Sequence, residues 1–159
     1  MSKTIKAVAL ALALLMACFM FAACGGRGSN INSSNIHELI NNNGVSLITD
    51  DAINTNDTGA QEKIDEYLSD GNAEQIKPSF VNDQMSVDIF AKGNAIVMEF
   101  YITVELSDEQ KAIVKENLPP KMKSINVNDG RNETGVENLV VVYALFDRNN
   151  ELIMSEILK

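Results

Sequence analysis

The chain has no tryptophan, one histidine and two cysteines in 159 residues. Both cysteines, Cys18 and Cys24, fall within the first 24 positions, so the rest of the sequence holds no thiol. That excludes a disulfide, a thiolate metal site and a cysteine nucleophile from the body of the protein. Small exported domains often depend on disulfides, whereas this one relies on its core alone. Positive charge is scarce as well. Thirteen Lys and Arg face 22 Asp and Glu, for a formal net charge of -9. This balance argues against nucleic acid as a partner, because such binding rests on Lys and Arg neutralising phosphates. It argues equally against electrostatic docking on anionic lipid. The patterns G-x-x-x-x-G-K-[ST], G-x-G-x-x-G, G-x-S-x-G and H-E-x-x-H do not occur, and nothing in the sequence calls for a metal or a cofactor.

What is present is concentrated at the N-terminus. Lys3 and Lys6 precede an uncharged apolar stretch of 17 residues, Ala7 to Ala23. A basic head, an apolar middle and a small-residue cut site make an export signal. The run Phe21-Ala22-Ala23-Cys24, followed by Gly25-Gly26, resembles a bacterial lipoprotein signal. That resemblance implies a lipid on the Cys24 sulfur, cleavage between Ala23 and Cys24, and an anchored protein on the outer, extracytoplasmic face of the cell membrane. The competing reading, an uncleaved anchor, needs about 20 apolar residues to span. A second box, Leu15-Met16-Ala17-Cys18, has a bulky Met and no following glycines. Two acyl chains on Cys24 give stable anchoring where one gives only marginal binding. Removal of residues 1–23 leaves 136 residues, enough for one domain, with a net charge of -11.

Residues 24–58 read as a polar tether rich in asparagine, with too little apolar surface to offset ordering entropy. As a coil the 34 residues after Cys24 span roughly 30 Å on average and at most about 115 Å when taut. Two apolar clusters interrupt it. Ile36, Leu39 and Ile40 have helical spacing, and Val45, Leu47 and Ile48 have strand-like alternation. Either could dock on the folded body.

Residues 59–159 read as an α+β domain. Ala60 to Ser69 predicts a helix with Ile64, Tyr67 and Leu68 on one face. After a break at Gly71, Asn72 to Val81 extends it, with Ile76 and Phe80 four apart and Pro78 opposing. Met85 to Val104 predicts a hairpin across a Gly93-Asn94 turn, with Gly first. That turn pairs Ala91 with Ile96, Ile89 with Met98, Val87 with Phe100 and Met85 with Ile102, all apolar and on one face. Ser107 to Gln110 is a capping box opening a second helix. Its stripe, Val114, Leu118, Met122 and Ile125, crosses Pro119-Pro120, where a kink or two consecutive helices is expected. Asn126 to Glu137 reads as a polar loop. Leu139 to Phe146 and Glu151 to Leu158 predict a second hairpin across Arg148-Asn149-Asn150, its first strand apolar on both faces and therefore central. The order is helix, hairpin, helix, hairpin. The expected architecture is one four-stranded antiparallel sheet with the helices packed on one face.

This order, together with the signal, resembles the small Firmicutes lipoproteins grouped as domain of unknown function 4854. The likeness covers roughly Glu66 to Lys159. It rests on the first hairpin, on the helix opening Leu106 to Lys111, and on the closing hairpin with Asp147-Arg148-Asn149-Asn150-Glu151. It implies an uncharacterised surface protein and brings no catalytic residues. Where the family pattern suggests Gly after the Asp turn, Asn150 stands instead, and Asn tolerates positive φ.

Three groups are candidates for chemistry. His37 lies in the tether, whereas catalysis needs groups held by a rigid shell. Asp88 and Glu99 oppose each other in the first hairpin, which is unfavourable unless a divalent cation or a raised carboxyl pKa offsets it. Solvent exposure and nearby lysines are the plainer account. Asn126, Asn128, Asp129, Asn132 and Glu133 crowd one stretch, but Arg131 occupies the turn position of a calcium loop. The more informative feature is apolar. Phe90, Val97 and Tyr101 share the outward face of the first hairpin, an interaction surface unless Val45, Leu47 and Ile48 or another helix covers it. The sequence therefore assigns no catalytic residue. It reads as a non-enzymatic binding module, held to the membrane by Cys24, for a protein or small ligand it does not identify. The alternative is a metal- or carboxylate-dependent hydrolase of cell-envelope material, which needs two acids converging in a cleft.

Overall fold

The computed structural model describes residues 50–159 except 80, 82, 124 and 125, and omits the side chains of 79, 121 and 122. The signal, Cys24, His37, both apolar clusters of residues 36–48, Phe80 and Ile125 therefore lie outside the described residues. The fold is α+β, with one four-stranded sheet in the order β1-β2-β3-β4.

Helix α1, Thr58–Tyr67, starts where the Asp57 carboxylate accepts from Ala60 N, and buries Ala60 and Ile64. The chain then loosens through Leu68–Asn72, where Gly71 takes φ 86, into the short α2, Ala73–Ile76. Lys77–Ser79 close this segment as a 3-10 turn around Pro78. Strands β1 (Met85–Lys92) and β2 (Ala95–Ile102) form the first hairpin in the expected register, Ala91↔Ile96 through Met85↔Ile102. Gly93 has φ 56, and a Cβ there would sit 1.9 Å from Asn54 O, so only glycine fits this turn.

Helix α3, Asp108–Met122, opens with the reciprocal capping box: Ser107 N donates to Gln110 Oε1 and Gln110 N to Ser107 Oγ. It runs through Pro119 and Pro120 and buries Val114 and Leu118. The stretch expected as a polar loop is largely a helix. In α4, Val127–Thr134, Asn126 Oδ1 caps Asn128 N and Gly135 ends the helix in a left-handed conformation. Val127 and Thr134 supply its buried side, a stripe too sparse to register as periodicity. Strands β3 (Val140–Phe146) and β4 (Leu152–Leu158) form the second hairpin, and Asn150 takes φ 62 in its turn.

The sheet is mixed, which corrects the expected antiparallel arrangement. β1/β2 and β3/β4 are antiparallel, but β2 and β3 run parallel, Ala95↔Val140 through Tyr101↔Phe146. The cause is the connection. Fifteen residues of α3 rise about 22 Å, close to the roughly 26 Å of an eight-residue strand. The helix therefore returns the chain to the end where β2 began, and β3 restarts in the same direction.

The sheet sorts its side chains into two faces. Met85, Val87, Ile89, Met98, Phe100, Tyr143 and Leu145 form one cluster with the buried residues of all four helices. Phe100 and Tyr143 stack there with centroids 6.1 Å apart. A one-residue irregularity in β4 between Leu152 and Met154 directs Ile153 into the same core. Among the described residues no helix is long and apolar enough to cross a membrane.

Candidate functional site

The second face is assembled by alternation. Phe90 on β1, Val97, Glu99 and Tyr101 on β2, and Val142, Ala144 and Phe146 on β3 all point away from the helices. Phe90, Val97 and Tyr101 thus share one face as expected, with Phe90 half-buried and the other two buried. The Tyr101 and Phe146 rings stack at 5.0 Å and 10°. Near the Gly93-Asn94 turn the face is joined by Ala52 and Ile53, which pack with Val97, Val140, Val142 and Ile157.

Glu99 lies in the middle of this face and is 0 % exposed. Solvation was the plain account of the Asp88–Glu99 pair, and the structure overturns it for Glu99. Cross-strand alternation aims the carboxylate at a face whose β3 positions are also apolar. Tyr101 donates its hydroxyl hydrogen to Glu99 Oε2, while Glu99 Oε1 has no hydrogen-bond partner. Burial pushes the Glu99 carboxyl up to about 8, and the charge of Asp88 across the strand pair adds to this against the Tyr101 hydrogen bond. Burial and the same two acids also push the Tyr101 hydroxyl up. The arrangement can hold a proton on Glu99 at neutral pH, with an acid and a phenol beside it.

Two other polar centres are structural in their contacts. Asn94, 1 % exposed, is a hub. Its Oδ1 accepts from Asn54 N, and its Nδ2 donates to Ala52 O and Asn138 O at 2.9 and 2.7 Å. Its backbone O accepts from Val140 N. It ties residues 52–54, the first turn and the start of β3 together, so residues 50–57, grouped with the polar tether by composition, are held against the sheet. Asp147, also 1 % exposed, organises the second turn. It accepts from Asn149 N, Glu151 N and Lys111 Nζ, the last at 2.5 Å. Burial alone would push this carboxyl up, but those three donors outweigh it and hold it below the ordinary carboxylate range. Composition marked neither residue, since each matters through chain segments 40 or so positions away in sequence.

The oxygen-rich stretch is spent on structure. Asn126 caps α4, Asn128 Oδ1 accepts from Arg131, and Glu133 accepts from the Tyr67 hydroxyl on α1. Two open depressions of about 590 and 350 Å³ meet at Gly135 and Glu137. Their cations are engaged, Arg131 with Leu139 O and Lys63 with Gly135 O. Among the described residues no group of three or more His, Cys, Asp or Glu side chains is placed to hold a metal ion. No family model, curated protein or solved structure matches the chain.

Proposed function

We propose that this chain is a lipid-anchored extracytoplasmic protein of the bacterial lipoprotein type, and that its folded domain is a non-enzymatic binding module. The likeness of residues 66–159 to domain of unknown function 4854 belongs to the same proposal. The observation that carries the binding reading is the second sheet face. It gathers Phe90, Val97, Tyr101 and Phe146 around one buried carboxylate, on the side away from the helices. Apolar side chains with a few convergent polar groups are the usual lining of a recognition site. The anchor is tested by labelling cells with a clickable fatty acid. The protein is expected to carry the label, and Cys24→Ser to lose it and remain at precursor size. A labelled Cys24→Ser protein refutes the anchor. For binding, Phe90→Ala is expected to weaken retention of a membrane-surface partner or ligand, whereas Lys115→Glu on α3 leaves it unchanged. Equal retention by both variants counts against this surface.

The Asp88–Glu99 juxtaposition favours a second reading, a carboxylate-dependent hydrolase of envelope material, because a protonated acid beside another carboxylate suits acid–base chemistry. It requires peptidoglycan or glycan cleavage that disappears in Glu99→Gln. Cleavage that survives this change, or none in the unaltered protein, removes it.

A further inference from the structure

The sheet is enclosed on both faces, but the described chain accounts for only one cover. On the second face Glu99, Ala144, Tyr101, Val140 and Val142 are no more than 3 % exposed. Among the described residues, only Ala52 and Ile53 join these clusters from outside the sheet. A single sheet layer does not bury its own outward side chains to this degree, and a second layer is required. Residues 50–53 show where that layer enters. Asp50 pairs with Lys159 at the end of β4 at 2.8 Å, and its carbonyl accepts from Ile53 N. Ala52 and Ile53 pack on the second face, whereas Ala60 belongs to the helical core. The chain therefore crosses the sheet end between them, and Ala52 and Ile53 are on the second face.

We propose that in the mature protein residues 36–49 dock on this face and cover Val97, Glu99 and Tyr101. The segment offers Ile36, Leu39, Ile40, Val45, Leu47 and Ile48, with Glu38 as its only acid and no Lys or Arg. It directly precedes the docked residues, and its 14 positions reach at most about 50 Å, against roughly 26 Å for an eight-residue strand. Every part of the face is within its range.

Residues 24–159 carrying Cys24→Ser, produced without residues 1–23, hold no thiol, which makes one added cysteine a clean reporter. Val97→Cys reads the second face by its alkylation rate, and Ala91→Cys reads the helical core as a check on folding. The thiol at 97 is expected to react slowly, and at least ~10-fold faster when Leu39, Ile40, Leu47 and Ile48 are all changed to Ser, the ratio that ~1.4 kcal/mol of docking produces. The thiol at 91 stays slow in both chains. Equal rates at 97 overturn the proposal: both fast means a bare face, and both slow means another cover, with sedimentation identifying a second copy. A photocrosslinker on the 97 thiol keeps the test decisive if the Ser variant unfolds, because the segment is then unaltered. Its cross-link is expected within residues 36–49, and a cross-link found only elsewhere overturns the assignment. Neither readout involves a partner, so failure of the binding reading would leave this result standing.

Discussion

Glu99→Gln is expected to stabilise the protein at neutral pH and to flatten its pH profile. In the folded chain the Glu99 carboxyl is pushed up to about 8, against 4.5 for the free group. Between these values the folded state binds a proton that the unfolded state has released. Unfolding stability then falls as pH rises through this window. At 1.36 kcal/mol per pKa unit, the loss from below pH 4.5 to pH 7 is about 3 kcal/mol. Glutamine keeps the shape and an acceptor for the Tyr101 hydroxyl, and carries no charge to bury. The variant should match the parent near pH 4.5 and exceed it at pH 7 by a melting temperature difference on the order of 10 °C. Thermal unfolding of residues 24–159 carrying Cys24→Ser, produced without residues 1–23, at intervals from pH 4.5 to 8 provides the test. Parallel pH profiles for the two proteins would refute the argument that Glu99 is buried as a proton-holding acid.

Other substitutions separate packing from backbone geometry. Gly71 and Gly93 both have positive φ, but a Cβ meets nothing within 4 Å at Gly71 and lies 1.9 Å from Asn54 O at Gly93. Gly71→Ala should cost about 1 kcal/mol and Gly93→Ala clearly more, by chemical denaturation; equal costs would show that the Asn54 contact is slack. Asn94→Ala strands Asn54 N, Ala52 O and Asn138 O, and is expected to cost at least ~2 kcal/mol and to expose residues 50–57 to limited proteolysis. An uncut variant would mean that other contacts hold this segment. Asp147→Ala removes three hydrogen bonds. Because the folded carboxyl is held low, its contribution is present above the ordinary carboxylate value and is lost as pH falls through the depressed one. The deficit of the variant should therefore be full at pH 6 and shrink below pH 4.

Much of the sheet was readable because its information is local. The first hairpin's register follows from period-two alternation fixed by a turn that only glycine satisfies, and both survive in the structure pair for pair. The Ser107–Gln110 capping box likewise needs four neighbouring residues and no tertiary partner. Asn150 adopts the left-handed conformation that its position in the turn requires. Helix α4 was missed because only Val127 and Thr134 are buried on it, although Asn126 and Gly135 mark its two ends.

By itself, the sequence determined an acidic body with no thiol after residue 24, and the strands and turns whose residues lie close together along the chain. Only the tertiary structure decided the rest. The parallel pairing of β2 with β3 depends on how far α3 carries the chain back, a length comparison between elements that no single motif encodes. Glu99 pairs with Ala144 on β3, which lies beside it in space but 45 residues away in sequence, so its surroundings are not those of its own strand alone. A charged side chain reads as solvated when only its own strand is considered. Its pKa, and with it the chemistry open to this face, is set by the dielectric that distant strands build around it.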